Sequence, residues 1–167
     1  DKNKAYISRY TLGRDYHKVI RGKLKKLTKK LKDELKNISF NSRVFTDTAP
    51  VLEVELAEKA GLGWRGKHSL LLNKDNGSWF FLGEIYTSLP LVVDKKELNH
   101  CGSCSACIDV CPTKAIIAPY KLDANKCISY LTIEFKGSIP IEYRKPIGNR
   151  VYGCDDCQLV CPWNKYG

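Results

Sequence analysis

Eight cysteines fall into two runs in this 167-residue chain. Cys101, Cys104, Cys107 and Cys111-Pro112 follow C-x2-C-x2-C-x3-C-P, a ligand spacing of two-cluster iron–sulfur proteins. Cys127, Cys154, Cys157 and Cys161-Pro162 form the second run. Together they match the demand of two [4Fe–4S] cubanes, each needing four thiolates. Two residues between ligands let a tight turn present successive sulfurs to adjacent irons. In two-cluster proteins the fourth cysteine of a run serves the other cluster. The expected sets are therefore Cys101, Cys104, Cys107 and Cys161 for one cluster, and Cys111, Cys127, Cys154 and Cys157 for the other. The chemistry such ligands support is single-electron transfer.

The second run is unusual. About two dozen residues separate Cys127 from Cys154, and an insertion of that size inside a ligand run usually has a function. Zinc sites also use C-x2-C pairs, but they do not explain three evenly spaced cysteines followed by Cys-Pro. A disulfide framework suits smaller, denser secreted chains. Intact cluster thiols imply a reducing compartment, so the cytosol is expected. No run of about 18 apolar residues suggests a membrane span. The missing methionine, even at position 1, and the abrupt stop at Tyr166-Gly167 fit a piece of a longer chain.

The elements that must carry these ligands divide by charge. The net charge is +10. Residues 1–98 hold 20 basic against 12 acidic side chains, and residues 99–167 hold 8 against 6. Cluster charge would turn the second half acidic, so the positive charge sits in front and suggests a polyanionic partner, nucleic acid foremost. Ile20, Leu24, Leu27, Leu31, Leu35 and Ile38 recur at helical spacing. Lys25, Lys26, Lys29 and Lys30 share the remaining surface of that helix. They read as a solvated face or a phosphate-tracking face; a membrane-surface helix lacks the aromatic anchors.

Further along, Thr48-Ala49-Pro50 reads as a helix start, with the helix ending at Gly61 and Gly63. Residues 69–72 and 79–87 read as a hairpin around Asp75-Asn76-Gly77, its second strand central in a sheet. A boundary falls near 98/99. Asp123 is expected to cap a helix carrying Cys127, and residues 137–153 read as a long loop.

Several longer segments resemble one family, the epoxyqueuosine reductases. They are Arg14-Asp15-Tyr16-His17-Lys18, Phe45-Thr46-Asp47-Thr48-Ala49-Pro50-Val51-Leu52-Glu53, and Gly61-Leu62-Gly63-Trp64-Arg65-Gly66-Lys67-His68-Ser69. Phe80-Phe81-Leu82-Gly83-Glu84-Ile85, Gly153-Cys154-Asp155-Asp156-Cys157-Gln158 and Cys161-Pro162-Trp163-Asn164 complete the set, and the displaced Cys127 belongs to the same pattern. The resemblance implies an α+β fold: a partial nitroreductase-like cobalamin domain over 1–98, then a bacterial ferredoxin-like double [4Fe–4S] domain over 99–167. It implies reduction of epoxyqueuosine to queuosine at the tRNA wobble position, with cobalamin and two clusters. Asp47 is the implied catalytic acid. A family member needs tRNA as substrate and an external electron donor such as a flavodoxin or ferredoxin system; a cytoplasmic monomer is expected.

Asp47 has a competing reading as a helix-start aspartate, a place that lowers a carboxyl pKa. A catalytic acid needs an apolar pocket instead. Cofactor contacts are expected from Asp47, Gly66, Lys67, His68, Ser69, Ser129, Asp155 and Gln158. His68 has a purely structural alternative. His17 and His100 read as structural or solvated; Trp64, Trp79 and Phe80 read as core, with an apolar corrin wall as the other option. Nucleic-acid contacts are expected from Lys25, Lys26, Lys29, Lys30, Lys136 and Arg144. Two other functions compete: a reductive dehalogenase-like cobalamin enzyme, and a plain two-cluster electron carrier. The carrier leaves about 98 residues and the Asp47 segment unexplained.

Overall fold

The computed structural model describes residues 3–164; the stop at Tyr166-Gly167 lies outside them. Helix α1 (Tyr16–Glu34) begins where the Asp15 carboxylate accepts the His17 N–H at 3.0 Å, a side-chain cap on the first turn. It packs on an antiparallel ladder of β2 (Ser42–Phe45) and β5 (Glu84–Thr87). Ile20 and Leu24 come so close to Gly83 that a methyl there would lie 2.7 and 3.0 Å from them. The apolar stripe outlasts the helix, since Leu35 and Ile38 lie beyond its end, and it is not fully covered: Leu27 and Ile38 are exposed.

The expected helix start at Thr48-Ala49-Pro50 is not there. Helix α2 spans Glu53–Lys59, and the stretch before it turns twice, beginning at Asp47 with φ 56°. Two three-residue turns fill the gap, with Thr48 N–H on Thr46 O and Val51 N–H on Ala49 O, each 2.7 Å.

The expected hairpin also re-pairs. Strand β4 (Leu71–Leu72) joins β3 (Trp64–Arg65), and β5 goes to β2. Around Asp75-Asn76-Gly77 only an Asn73–Gly77 bridge remains. Nor is β5 central, since its ladder has two strands among the described residues. At Gly63 a Cβ would sit 1.9 Å from the Leu72 carbonyl oxygen, so only glycine allows the β3–β4 approach.

In the cysteine-rich half, α3 (Ala106–Val110) and α6 (Asp156–Leu159) pack on each other and carry Cys107 and Cys157. The strands β6 (Ile116–Ala118) and β7 (Lys121–Leu122) form a short hairpin. Asp123 caps a 3-10 turn over Ala124–Lys126, and Cys127 then stands just ahead of α4 (Ile128–Ile133) without a side-chain cap bond. The expected loop at 137–153 is instead α5 (Ile141–Ile147) and β8 (Arg150–Tyr152). Its composition hid a strand whose partner is β1 (Tyr6–Ile7), paired in parallel across the whole chain.

The 98/99 boundary is bridged repeatedly. Lys67 Nζ donates to the Gly102 and Cys104 carbonyls at 2.7 Å each. Asn164 Oδ1 accepts the Ser78 N–H at 2.6 Å. Two apolar clusters form the core, and both touch cysteines: Trp64, Leu72 and Cys161 with Cys101 and Trp163, and Ile128, Leu131 and Ile147 with Cys154. A core so small and so close to the thiols makes cluster binding part of the folding free energy. Among the described residues no helix is long and apolar enough to cross a membrane.

Candidate active site and the cysteine cavities

The eight thiols gather around two cavities. Cys101, Cys104, Cys107 and Cys161 line one of about 230 Å³, with Lys67, His68 and Trp163. Cys111, Cys127, Cys154 and Cys157 line a larger one of about 730 Å³. Cys161 of the second run thus joins the first three cysteines, and Cys111 of the first run joins the other set. Electrostatics group them likewise. Burial raises the Cys107 thiol, and Cys161, Cys101 and Cys104 push it the same way. Burial lifts Cys154 to about 11, with Cys127 adding to it. Cys111 Sγ accepts the Ala115 N–H at 3.2 Å. Among the described residues no three His, Cys, Asp or Glu side chains converge tightly enough for a single metal ion.

The larger cavity holds more than thiols. Its walls include Leu70, Leu71, Trp79, Phe80, Phe81, Leu82 and Ile116. Trp64, by contrast, is fully buried core. Asp47, Ser129, Asp155 and Gln158 reach the same cavity. His68 lines both cavities, is 4% exposed, and has no partner for Nε2. Its Nδ1 accepts the Leu70 N–H at 3.2 Å, so Nε2 carries the proton, and burial pulls its pKa down to about 4. Ser69 Oγ is a second buried atom without a partner, on a residue at φ 74°. Gly66 lets this turn close, since a Cβ would lie 2.7 Å from His68 Cε1.

Other expected contacts are already engaged. Asp155 is 1% exposed and accepts Tyr6 OH at 2.8 Å, Ser8 Oγ at 2.5 Å and the Arg9 N–H at 2.8 Å. Gln158 Oε1 accepts Ser78 Oγ at 2.9 Å. Lys67 is held by the two carbonyls named above.

Asp47 is neither a helix cap nor enclosed in an apolar pocket; its side chain is 54% exposed at the cavity mouth. Tyr16 OH donates to Asp47 Oδ2, which also meets His17 Nε2 at 2.9 Å. His17 Nδ1 in turn meets Asp15 Oδ1 at 2.9 Å. Desolvation works against the imidazolium, but the bonds to Asp15 and Asp47 outweigh it and raise the His17 pKa. Tyr16 stacks on His17 and Phe81. The sequence reading left His17 aside. Its signal was the Asp-Tyr-His string at a helix start, which places both side chains on the first turn, where they meet Asp47 on the turn that follows β2.

The basic residues stand apart from this wall. Lys25, Lys26, Lys29 and Lys30 are exposed on α1, and among the described residues none forms an ion pair with them. Lys136 and Arg144 are exposed in the other half, with Arg144 Nε on the Ile139 carbonyl at 2.9 Å. An open groove of about 520 Å³ runs along Arg14, Tyr16, Val19, Ile20, Lys23, Phe80 and Phe81. It shares Tyr16, Phe80 and Phe81 with the larger cavity.

Known proteins match this chain at both ends. A family model described as epoxyqueuosine reductase QueG, DUF1730, matches residues 1–48, and a 4Fe-4S double cluster binding domain matches 100–164. The epoxyqueuosine reductase of Vibrio cholerae is 60% identical over 99% of this chain, which spans 44% of that protein. A crystal structure of epoxyqueuosine reductase with a tRNA-Tyr epoxyqueuosine-modified tRNA stem loop superposes with TM-score 0.92 at 40% identity, over 98% of this chain and 42% of that one. The catabolic reductive dehalogenase NpRdhA shares the fold alone, with TM-score 0.56 at 24% identity over 81% of this chain and 20% of its own. With that identity sustained from one end to the other, the chain belongs to the epoxyqueuosine reductase family, of which it spans under half the usual length.

Proposed function

We propose that this chain carries the catalytic acid and the electron path of an enzyme that reduces epoxyqueuosine to queuosine in tRNA. One observation carries the reading: Asp47 and the thiols Cys111, Cys127, Cys154 and Cys157 line the same apolar-walled cavity. Converting an epoxide to an alkene consumes two electrons and two protons and releases water. A wall with an acid on one side and electron-transfer ligands on the other answers both needs.

The residues fit the groups the family implies. Four thiols around each cavity, with a backbone N–H on Cys111 Sγ, suit two cubanes. The larger cavity has the size and apolar lining of a cofactor site. Its orphaned His68 Nε2–H and the nearby Ser69 hydroxyl are donors fit for the amide-fringed rim of a corrin. When bound, cobalamin supplies the reducing centre and the clusters supply its electrons. The protein's own part is orientation and protons. Tyr16 and His17 fix the Asp47 carboxyl, and Trp79, Phe80 and Phe81 exclude water from the cavity wall. Asp47, bonded to the protonated His17 that can resupply it, passes a proton to the departing oxygen.

Cys104 is exposed, so electrons from an external flavodoxin- or ferredoxin-type donor enter at the smaller cavity and pass inward. The groove beside α1 leads a splayed base toward Asp47, while the lysine face holds phosphates. A cytosolic, monomeric enzyme suits eight reduced thiols and this substrate. A plain electron carrier would have no use for the 730 Å³ cavity and its acid.

The test is Asp47→Asn in the full-length, anaerobically reconstituted protein. Turnover of epoxyqueuosine-containing tRNA should fall roughly 10²–10⁴-fold, with iron, cobalamin and tRNA binding unchanged. Near-normal turnover removes Asp47 from the chemistry.

A further inference from the structure

The turn that presents Asp47 is strained and needs a reason to stay in place. Its φ of 56° and the 2.7 Å bond from Thr48 N–H to Thr46 O make a positive-φ γ-turn, an uncommon and costly conformation. Its own N–H, on the exposed side of the turn, is held by one protein acceptor, Glu53 Oε1, at 2.6 Å. Glu53 opens α2, and its carboxyl meets that of Glu84, the first residue of β5, whose register partner is Phe45 at the end of β2. Two carboxyl groups therefore lie directly beneath the turn. Glu84 Oε1 is buried and without a partner.

The surroundings hold little to neutralise them. From α1 come Tyr16, His17 and Arg21; His17 is bound to Asp15 and Asp47, and Arg21 donates to Thr48 Oγ1 at 3.1 Å. From β2 comes Arg43, lying over the Phe45 ring opposite Tyr86 of β5. From the turn comes Asp47 itself. Among the described residues no Lys, Arg or His forms an ion pair with Glu53 or Glu84. Two such carboxylates cannot both ionise cheaply, so one proton is retained between them.

We infer that Glu53 and Glu84 are positioning residues: a carboxyl–carboxylate pair sharing one proton, which latches the Asp47 turn against the cavity. The inference rests on the reading of Asp47 as the acid. The proton bridges the pair and leaves Glu53 Oε1 free to accept the Asp47 N–H. Burial, the Glu53 charge and the bond between the two carboxyls raise Glu84 to about 7. Below that value the bridge is intact. Above it the two charges repel, Glu53 turns away, and the strained turn loses its anchor.

Hydrogen exchange on the full-length, cofactor-loaded enzyme tests this without relying on catalysis. The amides of Asp47 and Thr48 are followed at about pH 6 and about pH 8.5, with rates corrected for intrinsic exchange. Wild-type protection should fall roughly tenfold or more between them. Glu84→Gln donates an N–H to Glu53 at either pH and should keep protection at both. Glu53→Ala should lose it at both, with kcat reduced and the KM for tRNA unmoved, and Glu53→Gln should restore both readouts. Equal wild-type protection at the two pH values overturns the latch, as does a Glu53→Ala protein protected like wild type. If Glu53→Ala does not fold, the Glu84→Gln comparison decides alone. A pH-dependent exchange pattern with a fully active Asp47→Asn would keep the latch and discard the acid. Flat exchange with an inactive Asp47→Asn would do the reverse.

Discussion

Asp155→Ala removes one carboxylate that serves three donors: Tyr6 OH, Ser8 Oγ and the Arg9 N–H. Each donor left buried and unsatisfied costs about 1–3 kcal/mol. The Ser8 bond is fully buried and carries full weight, while the other two are part-buried and water can partly replace them. The sum is about 3–5 kcal/mol. The loss falls on the parallel β1–β8 pair and on the Cys154–Cys157 loop together. At roughly 2–4 °C per kcal/mol for a chain of this size, the anaerobic melting temperature should drop roughly 6–20 °C. Asp155→Asn keeps one oxygen for Ser8 but turns an amide toward the Arg9 N–H, so it should cost only about 1–2 kcal/mol. Ser8→Ala combined with Asp155→Ala should be non-additive by at least about 0.5 kcal/mol, since one bond cannot be lost twice. A drop under about 2 °C for Asp155→Ala, or strict additivity in the cycle, would refute the idea that this carboxylate ties the two ends of the chain together.

Three other outcomes can be measured. Replacing Lys25, Lys26, Lys29 and Lys30 by Gln should weaken tRNA binding and flatten its salt dependence by about one unit of slope per lost phosphate contact, alike for unrelated tRNAs; an unchanged slope would return α1 to a merely solvated face. Cys111→Ala should damage the cluster signal that Cys154→Ala also damages and spare the one that depends on Cys101, visible by electron paramagnetic resonance; damage confined to the Cys101 set would undo the crossed assignment. The His17 pKa is raised, so its pairing with Asp47 is complete below the ordinary imidazole value and is lost as pH rises through the higher folded value. An NMR titration should show that pKa falling toward ordinary in Asp47→Asn, and no change would mean the contact is not made in solution.

The cysteine spacing was legible because it is local chemistry: a turn of two residues between thiols serves one purpose, and the structure gathers the thiols in the two expected sets around two cavities. Helix α1 was legible for a similar reason, its apolar stripe lying within one stretch of chain, while its Asp15 cap emerged only in the structure. What eluded the sequence was non-local. The strand at 150–152 looked like loop, since its partner begins at Tyr6 and nothing in Gly- and Pro-rich surroundings advertises a pairing across the chain. The hairpin around Gly77 was a reasonable local expectation, overridden when β5 found β2 and β4 found β3.

Asp47 shows the division most sharply. Its segment marked it as a candidate, but sequence logic placed it at a helix start. The tertiary structure instead put it on a positive-φ turn, with Tyr16 and His17 arriving from α1 and Glu53 reaching back from α2. Which groups surround a carboxyl is decided by packing between elements far apart in sequence. The chain's own order of residues named the reagents, and only the packed structure decided which of them meet.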